Sequence, residues 1–301
     1  MSMHSYFRAV GYSDIDNVQK TEELIRKAIK DPTYVSGTKY ATGYPVREYY
    51  YECAKGMGIC VLCETDPDPV CESETPVRVV NYFPYFNGEY ASVSGDIFVE
   101  KKVDTKSFHG MCNDSRFGIA LIFSMQNTVD FLNNKMKTKN GSYSGEVRLS
   151  ALSLEGRIIL PVEKSMKNAE SLIVPGKRKA ESGSSLHDTG KGDQPDSFED
   201  DLFFANNMIM ERAKKEDIFS IVDTTFMPHG TETDVYSMVG EIRDYMLLVN
   251  EHTNEPVWLL DVVCKGVPMQ VCINKSDLLG VPDYGRRFRG IVWMQGQIKF
   301  F

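Results

Sequence analysis

GKRKAESGSSLHDTGKGDQPDS, residues Gly176–Ser197, is the stretch that decides how this chain divides, because Ala180 and Leu186 are its only apolar side chains. Burying so little surface cannot offset the entropy of ordering a segment, so the composition predicts a solvated linker. Working outward from it, the expected fold class is α+β. A domain with a mixed antiparallel sheet is expected over residues 1–168, a flexible linker over 169–199, and a helix plus a smaller, mostly β domain over 200–301.

Composition agrees with two domains of ordinary size: 301 residues, 42% hydrophobic and 25% charged, which are the proportions of a soluble globular protein. With 42 acidic against 34 basic side chains the net charge is −8. That disfavours nucleic acid held by general backbone attraction, although a local basic face remains compatible with it. The opening MSMHSYFRAVGYSDI lacks a charged start and a long apolar run, and no window approaches the roughly 18 apolar residues of a membrane span. A cytoplasmic protein without membrane contact is expected, and an odd set of seven cysteines with no repeating framework fits that compartment.

Along the first part, Met3–Tyr12 is expected as a short strand or apolar lead-in. A helix follows from the spacing of Val18, Leu24, Ile25, Ala28 and Ile29, started near Ser13–Asp16 and stopped at Asp31-Pro32. Glu48–Cys53, Gly58–Glu64, Val77–Phe86 and Glu89–Val99 have the β-branched and aromatic content of strands, the last two joined as a hairpin at Asn87-Gly88. Gly118–Phe123 is expected as a buried strand, Ser124 as the cap of a helix, and Gly145–Leu152 with Gly156–Val162 as a further hairpin.

Beyond the linker, Leu202–Lys215 has helical spacing, and Tyr236–Val249, Val257–Cys264, Met269–Asn274 and Arg289–Phe301 are expected strands. In the last of these Val292, Met294, Ile298 and Phe300 share one parity, with Gly296 between them. Their order suggests a curled sheet or an OB-like barrel opening at Gly240-Glu-Ile. The octapeptides Gly145–Leu152 and Gly240–Leu247 share the pattern Gly-Glu-Val/Ile-Arg-x-x-x-Leu.

Candidate chemistry is sparse. Cys60-x-x-Cys63 has metal-ligand spacing, but on a strand residues three apart point to opposite faces, so both are expected as small core residues and no metal is expected. His109, Cys112 and Asp114 offer a base and a nucleophile without any sign that they converge. No phosphate-binding loop, G-x-S-x-G, H-E-x-x-H or G-x-G-x-x-G is present, and no cofactor is expected. Tyr82, Tyr85 and Tyr90 sit in an aromatic run that Pro84 marks as a sheet edge, a candidate partner surface. Arg286, Arg287 and Arg289, around a glycine-flanked turn, are a candidate site for phosphate or an acidic partner.

Met3–Tyr12 (MHSYFRAVGY) and Cys272-Ile-Asn-x-x-Asp-Leu-Leu-Gly-x-Pro with Gly285-Arg-Arg-Phe-Arg-Gly-x-x-Trp-Met-Gln-Gly together resemble an uncharacterised clostridial (Firmicutes) family, a domain of unknown function. The resemblance implies a bacterial cytoplasmic protein and carries no activity, cofactor or site. The expected function is a non-catalytic interaction or adaptor protein with protein partners; the alternative is a nucleic-acid or phosphate-ligand binder acting through the arginine turn.

Overall fold

In a computed structural model of the chain, residues 3–38, 45–65, 76–102, 107–135, 142–161 and 223–301 are described. The chain opens with a 3-10 helix, Met3–Val10, where a strand or lead-in was expected. Helix α1 (Val18–Lys30) buries Leu24, Ile25 and Ala28, as the spacing predicts. Its start is set later than Ser13–Asp16: the Asn17 side chain accepts from the Lys20 backbone N–H and satisfies one of the free donors of the first turn.

Four strands, β1 (Tyr34–Gly37), β2 (Val46–Ala54), β3 (Met57–Thr65) and β4 (Pro76–Phe86), form an antiparallel sheet in chain order. Pro84 lies on β4, an edge of that sheet, as expected. The chain does not turn back at Asn87-Gly88. Gly88 instead lies against the next sheet, where a Cβ would stand 2.7 Å from the Leu149 carbonyl oxygen, so glycine serves close approach here rather than a tight turn.

The second sheet contains β5 (Val93–Lys101), β6 (Phe108–Asp114), β7 (Ile119–Met125), β8 (Ser142–Ile159), β9 (Thr225–Pro228), β10 (Val235–Val249), β11 (Pro256–Cys264), β12 (Val267–Asn274), the two-residue β13 (Leu278–Leu279) and β14 (Arg287–Phe300). Its spine is the antiparallel pair β8–β14, in register from Gly145 opposite Phe300 to Ile159 opposite Arg287. Pairing closes into two rings that share this spine. β5, β6 and β7 bridge one end of it, and β12, β11 and β10 bridge the other. β8 is thus one long strand where a hairpin was expected. A bulge opposite Ile291 and Val292 absorbs the irregularity, and the Ser153 hydroxyl spans it by bonding to the Glu155 and Ile291 carbonyls.

Two expectations are corrected by this arrangement. Among the described residues the fold is mostly β, with 60% strand and 14% helix, rather than α+β. Nor do residues 1–168 and 200–301 form separate domains: Met1–Ile159 and Thr224–Phe301 make one compact unit, because β8 completes the ring expected from the later strands alone. The remaining unit, Leu160–Asp223, falls almost wholly outside the described residues, and with it the expected linker and the helix expected over Leu202–Lys215. Helix α2 (Thr128–Lys135) begins after Ser124, which belongs to β7.

The core follows the alternation of the spine strands. Val292, Met294 and Ile298 face the ring interior with Phe123 and Phe288, on the parity read from sequence. Their alternates, Leu152, Leu259, Cys272 and Trp293, face outward and pack beneath the first sheet, α1 and the N-terminal 3-10 helix. Gly296 and Gly110 flank the ring of Phe123; a Cβ at either would lie 2.4 or 2.2 Å from it. Full burial of such an aromatic ring contributes about 1.5–3 kcal/mol, so these glycines are set by the ring between them.

Candidate interaction edge and polar pocket

The two stretches behind the family resemblance lie more than 260 residues apart and meet in the fold. The Arg8 guanidinium donates to both carboxylate oxygens of Asp277, at 2.5 and 2.8 Å, a bidentate pair. The Cys272 thiol donates to the Ala9 carbonyl, the Asn274 amide reaches the Arg8 carbonyl, and the Tyr6 and Trp293 rings stand 5.1 Å apart. The model of the DUF3881 family, described as a domain of unknown function with E. rectale in its description, matches residues 7–296. The chain belongs to this family. No curated protein and no solved structure matches the chain. What distinguishes this DUF3881 domain has therefore to be read from its own surface.

Beside the Tyr6–Trp293 contact is a cavity of about 150 Å³. On its floor the buried Asp234 carboxylate accepts from Trp293 Nε1 at 2.9 Å and lies 3.3 Å from His109 Nε2. Burial alone would raise the Asp234 carboxyl, but the bonds from His109 and Trp293 outweigh it and hold the group below its usual range. Ser124 lies directly opposite His109 across β6 and β7, and Lys102 meets Glu232 at 3.8 Å. The Tyr6 hydroxyl is buried with no hydrogen-bond partner among the described residues, and burial followed by the nearby Asp234 and Glu232 charges pushes it up to about 12. Tyr6 therefore stays a neutral phenol beside the His109–Asp234 contact.

His109 was singled out from sequence with the wrong companions. Cys112 is buried, which pushes its thiol up to about 12 and leaves it inert, and Asp114 is held by Arg116. Asp234, more than a hundred positions away, gave no local signal.

The arginine turn does not act as one cluster. Arg286 donates to the Val281 carbonyl and sits 3.8 Å from Asp283. Arg287 is 2% exposed. Arg289 lies opposite Arg157 on β8 and lines a cavity of about 380 Å³ that also holds Glu155 and Asp277, so the charge there is mixed. The three tyrosines are likewise dispersed. Tyr85 is fully buried against Tyr50, which removes it from any partner surface. Tyr82 lines a groove beside α1, and exposed Tyr90 donates to Asp261 at 2.7 Å. Cys60 and Cys63 are buried core residues, and burial pushes the Cys63 thiol up to about 12.

A run of exposed apolar residues sits on β10. From Val235 to Glu241 the strand has β14 on one side, and past Ile242, which bonds to Arg286 and Gly285, that side has no paired strand among the described residues. Among the described residues only β11 accompanies β10 from there to Val249. A bulge between Ile242 and Asp244 resets the alternation. The Asn250 N–H bonds to the Glu255 carbonyl, so even-numbered residues face β11 and the backbone groups of Tyr245, Leu247 and Val249 point outward. Tyr245, Met246, Leu247 and Val249 are 39–55% exposed. The sequence run Tyr245–Val249, apolar on both parities, has the pattern of a strand buried on both faces, which is why its exposure was not foreseen.

Proposed function

We propose that this domain is a non-catalytic interaction protein that takes an extended strand of a partner against the outer half of β10. The observation that carries this reading is the edge at Tyr245, Leu247 and Val249, where backbone groups unpaired among the described residues coincide with exposed apolar side chains. Edges of that kind are normally shortened, charged or covered, and partners that use them add a strand by main-chain bonds. The phosphate-binding alternative loses support from the burial of Arg287 and the mixed charge around Arg289. We place the protein in the cytoplasm of a bacterium. The free cysteines among the described residues and the family description support that placement, and no described helix is long and apolar enough to cross a membrane.

The test is strand capture. Two synthetic peptides, one with the sequence of residues 243–251 and one alternating Thr and Val, are titrated against the full chain while Trp258 fluorescence is followed. The Trp258 ring lies 5.9 Å from Tyr245 and reports on the edge. Saturable binding of either peptide, lost in Leu247→Pro, is expected. Proline there removes only an outward N–H and is tolerated on an edge. If neither peptide binds the unmodified chain, strand addition is wrong.

A further inference from the structure

We propose that the cavity lined by Tyr6, Trp293 and Asp234 binds a small organic cation, a primary ammonium of about six non-hydrogen atoms. This site is independent of the β10 edge and stands whether or not a strand is captured there.

Charge selects the sign of the ligand. Two carboxylates, Asp234 and Glu232, and one ammonium, Lys102, line the cavity, so with His109 neutral its net charge is negative. Glu232 and Lys102 are a loose pair at 3.8 Å on half-exposed side chains. Asp234 is 3% exposed and, despite that burial, is held ionised by its contacts with His109 and Trp293. A buried carboxylate attracts a cation more strongly than a solvated one does. Both of its side-chain contacts fall on Oδ2, from Trp293 Nε1 at 2.9 Å and His109 Nε2 at 3.3 Å. Among the described residues Oδ1 therefore keeps its lone pairs.

The second acceptor is the Tyr6 hydroxyl, which is buried with no partner among the described residues. Besides burial, the Asp234 and Glu232 charges raise it, so this oxygen sits in a negative potential. An ammonium has three donors and no acceptor, which matches Asp234 Oδ1 and the Tyr6 oxygen; a carboxylate or phosphate would meet like charge at both. The Tyr6 and Trp293 rings, with centroids 5.1 Å apart and planes inclined by 42°, add aromatic faces that favour a cation. A metal ion fits less well, because among the described residues no three His, Cys, Asp or Glu side chains converge as ligands. Size sets the rest: the cavity measures about 150 Å³, and a cavity of about that volume holds benzene.

The test is titration calorimetry on the full chain at neutral pH and fixed ionic strength. The probes are butylammonium, its neutral and anionic counterparts n-butanol and butyrate, and Nα-acetyl-lysine methylamide. Saturable binding of butylammonium alone among the first three is expected. Binding of the lysine derivative as well identifies a lysine side chain of a partner as the natural ligand, and its exclusion identifies a free amine. Tyr6→Phe is expected to weaken butylammonium several-fold and Asp234→Asn at least tenfold, while Lys102→Ala, which removes a competing charge, is expected to tighten it. A melting curve verifies folding of each variant, and if Asp234→Asn does not fold, Tyr6→Phe decides. Binding of butanol or butyrate as tight as that of butylammonium overturns the proposal, as does failure of both amines to bind or an affinity indifferent to Tyr6→Phe. Binding seen only in Lys102→Ala also overturns it, because the chain's own lysine then fills the site.

Discussion

Replacing Glu48 with glutamine should flatten the dependence of stability on pH. Glu48 is 1% exposed, on β2 beneath the start of α2, where its carboxyl accepts from the Tyr50 hydroxyl at 3.0 Å and the Val129 N–H at 3.2 Å. Burial dominates those bonds and raises the group to about 8 from an ordinary value of 4.5. The folded state thus holds a proton that the unfolded chain releases near its ordinary value. Between about pH 4.5 and 8 the native state binds one more proton than the unfolded state. Stability therefore falls with rising pH, by about 1.4 kcal/mol per unit from this group. Over the whole window the loss approaches 5 kcal/mol, from a shift of about 3.5 units. It is fully absent below the unfolded value and complete above the folded one. Urea unfolding at intervals from pH 4 to 9, for the unmodified chain and Glu48→Gln, measures it directly. The difference between the two curves should change steeply across the window and level off above it. Parallel curves would mean that Glu48 is ionised in the folded protein and that the burial argument fails.

Three other outcomes follow from packing and polar contacts. Gly296→Ala should destabilise the protein by about 1–3 kcal/mol through overpacking, and by distinctly less in a Phe123→Ala background; a double-mutant cycle by chemical denaturation measures the coupling. Tyr6→Phe should leave stability unchanged or raise it by up to about 1–3 kcal/mol, because it removes a buried hydroxyl with no partner among the described residues. A loss on thermal melting would show that the hydroxyl is bonded in solution. Arg287→Ala should lower the melting temperature strongly, whereas Arg286→Ala should stay within about 0.5 kcal/mol of the parent, since exposed ion pairs contribute little.

The strands were legible where the local pattern was sufficient. Val292, Met294 and Ile298 alternate cleanly, and the helical spacing of Leu24, Ile25 and Ala28 located α1. What failed were inferences that needed a partner. Asn87-Gly88 has the composition of a hairpin turn, but Gly88 is selected by the Leu149 carbonyl of a strand some sixty positions later. A hairpin was expected between Gly145–Leu152 and Gly156–Val162, but the bulge opposite Ile291 and Val292 lets β8 continue as one strand. Division into two domains followed from the polar stretch at 176–197, which says nothing about whether the strands on either side pair. The His109–Asp234 dyad was invisible for the same reason: the two residues come together only through ring closure.

The shared β8–β14 spine sets an order of events during synthesis. Ser153 and Ile291, bonded across it, are 138 residues apart. At the usual rate of about 5–20 residues per second, β8 emerges from the ribosome roughly 7–28 s before the strand that covers its long edge. Neither ring can close in that interval, so the nascent chain carries an open sheet edge lined by Val147, Leu149 and Ala151. Pairing at this sequence separation is also slow once the chain is complete, since the loop must close before any contact rewards it. Yield in a cell should therefore depend on whatever shields β8 while β14 is still being made, more than on the stability of the finished fold.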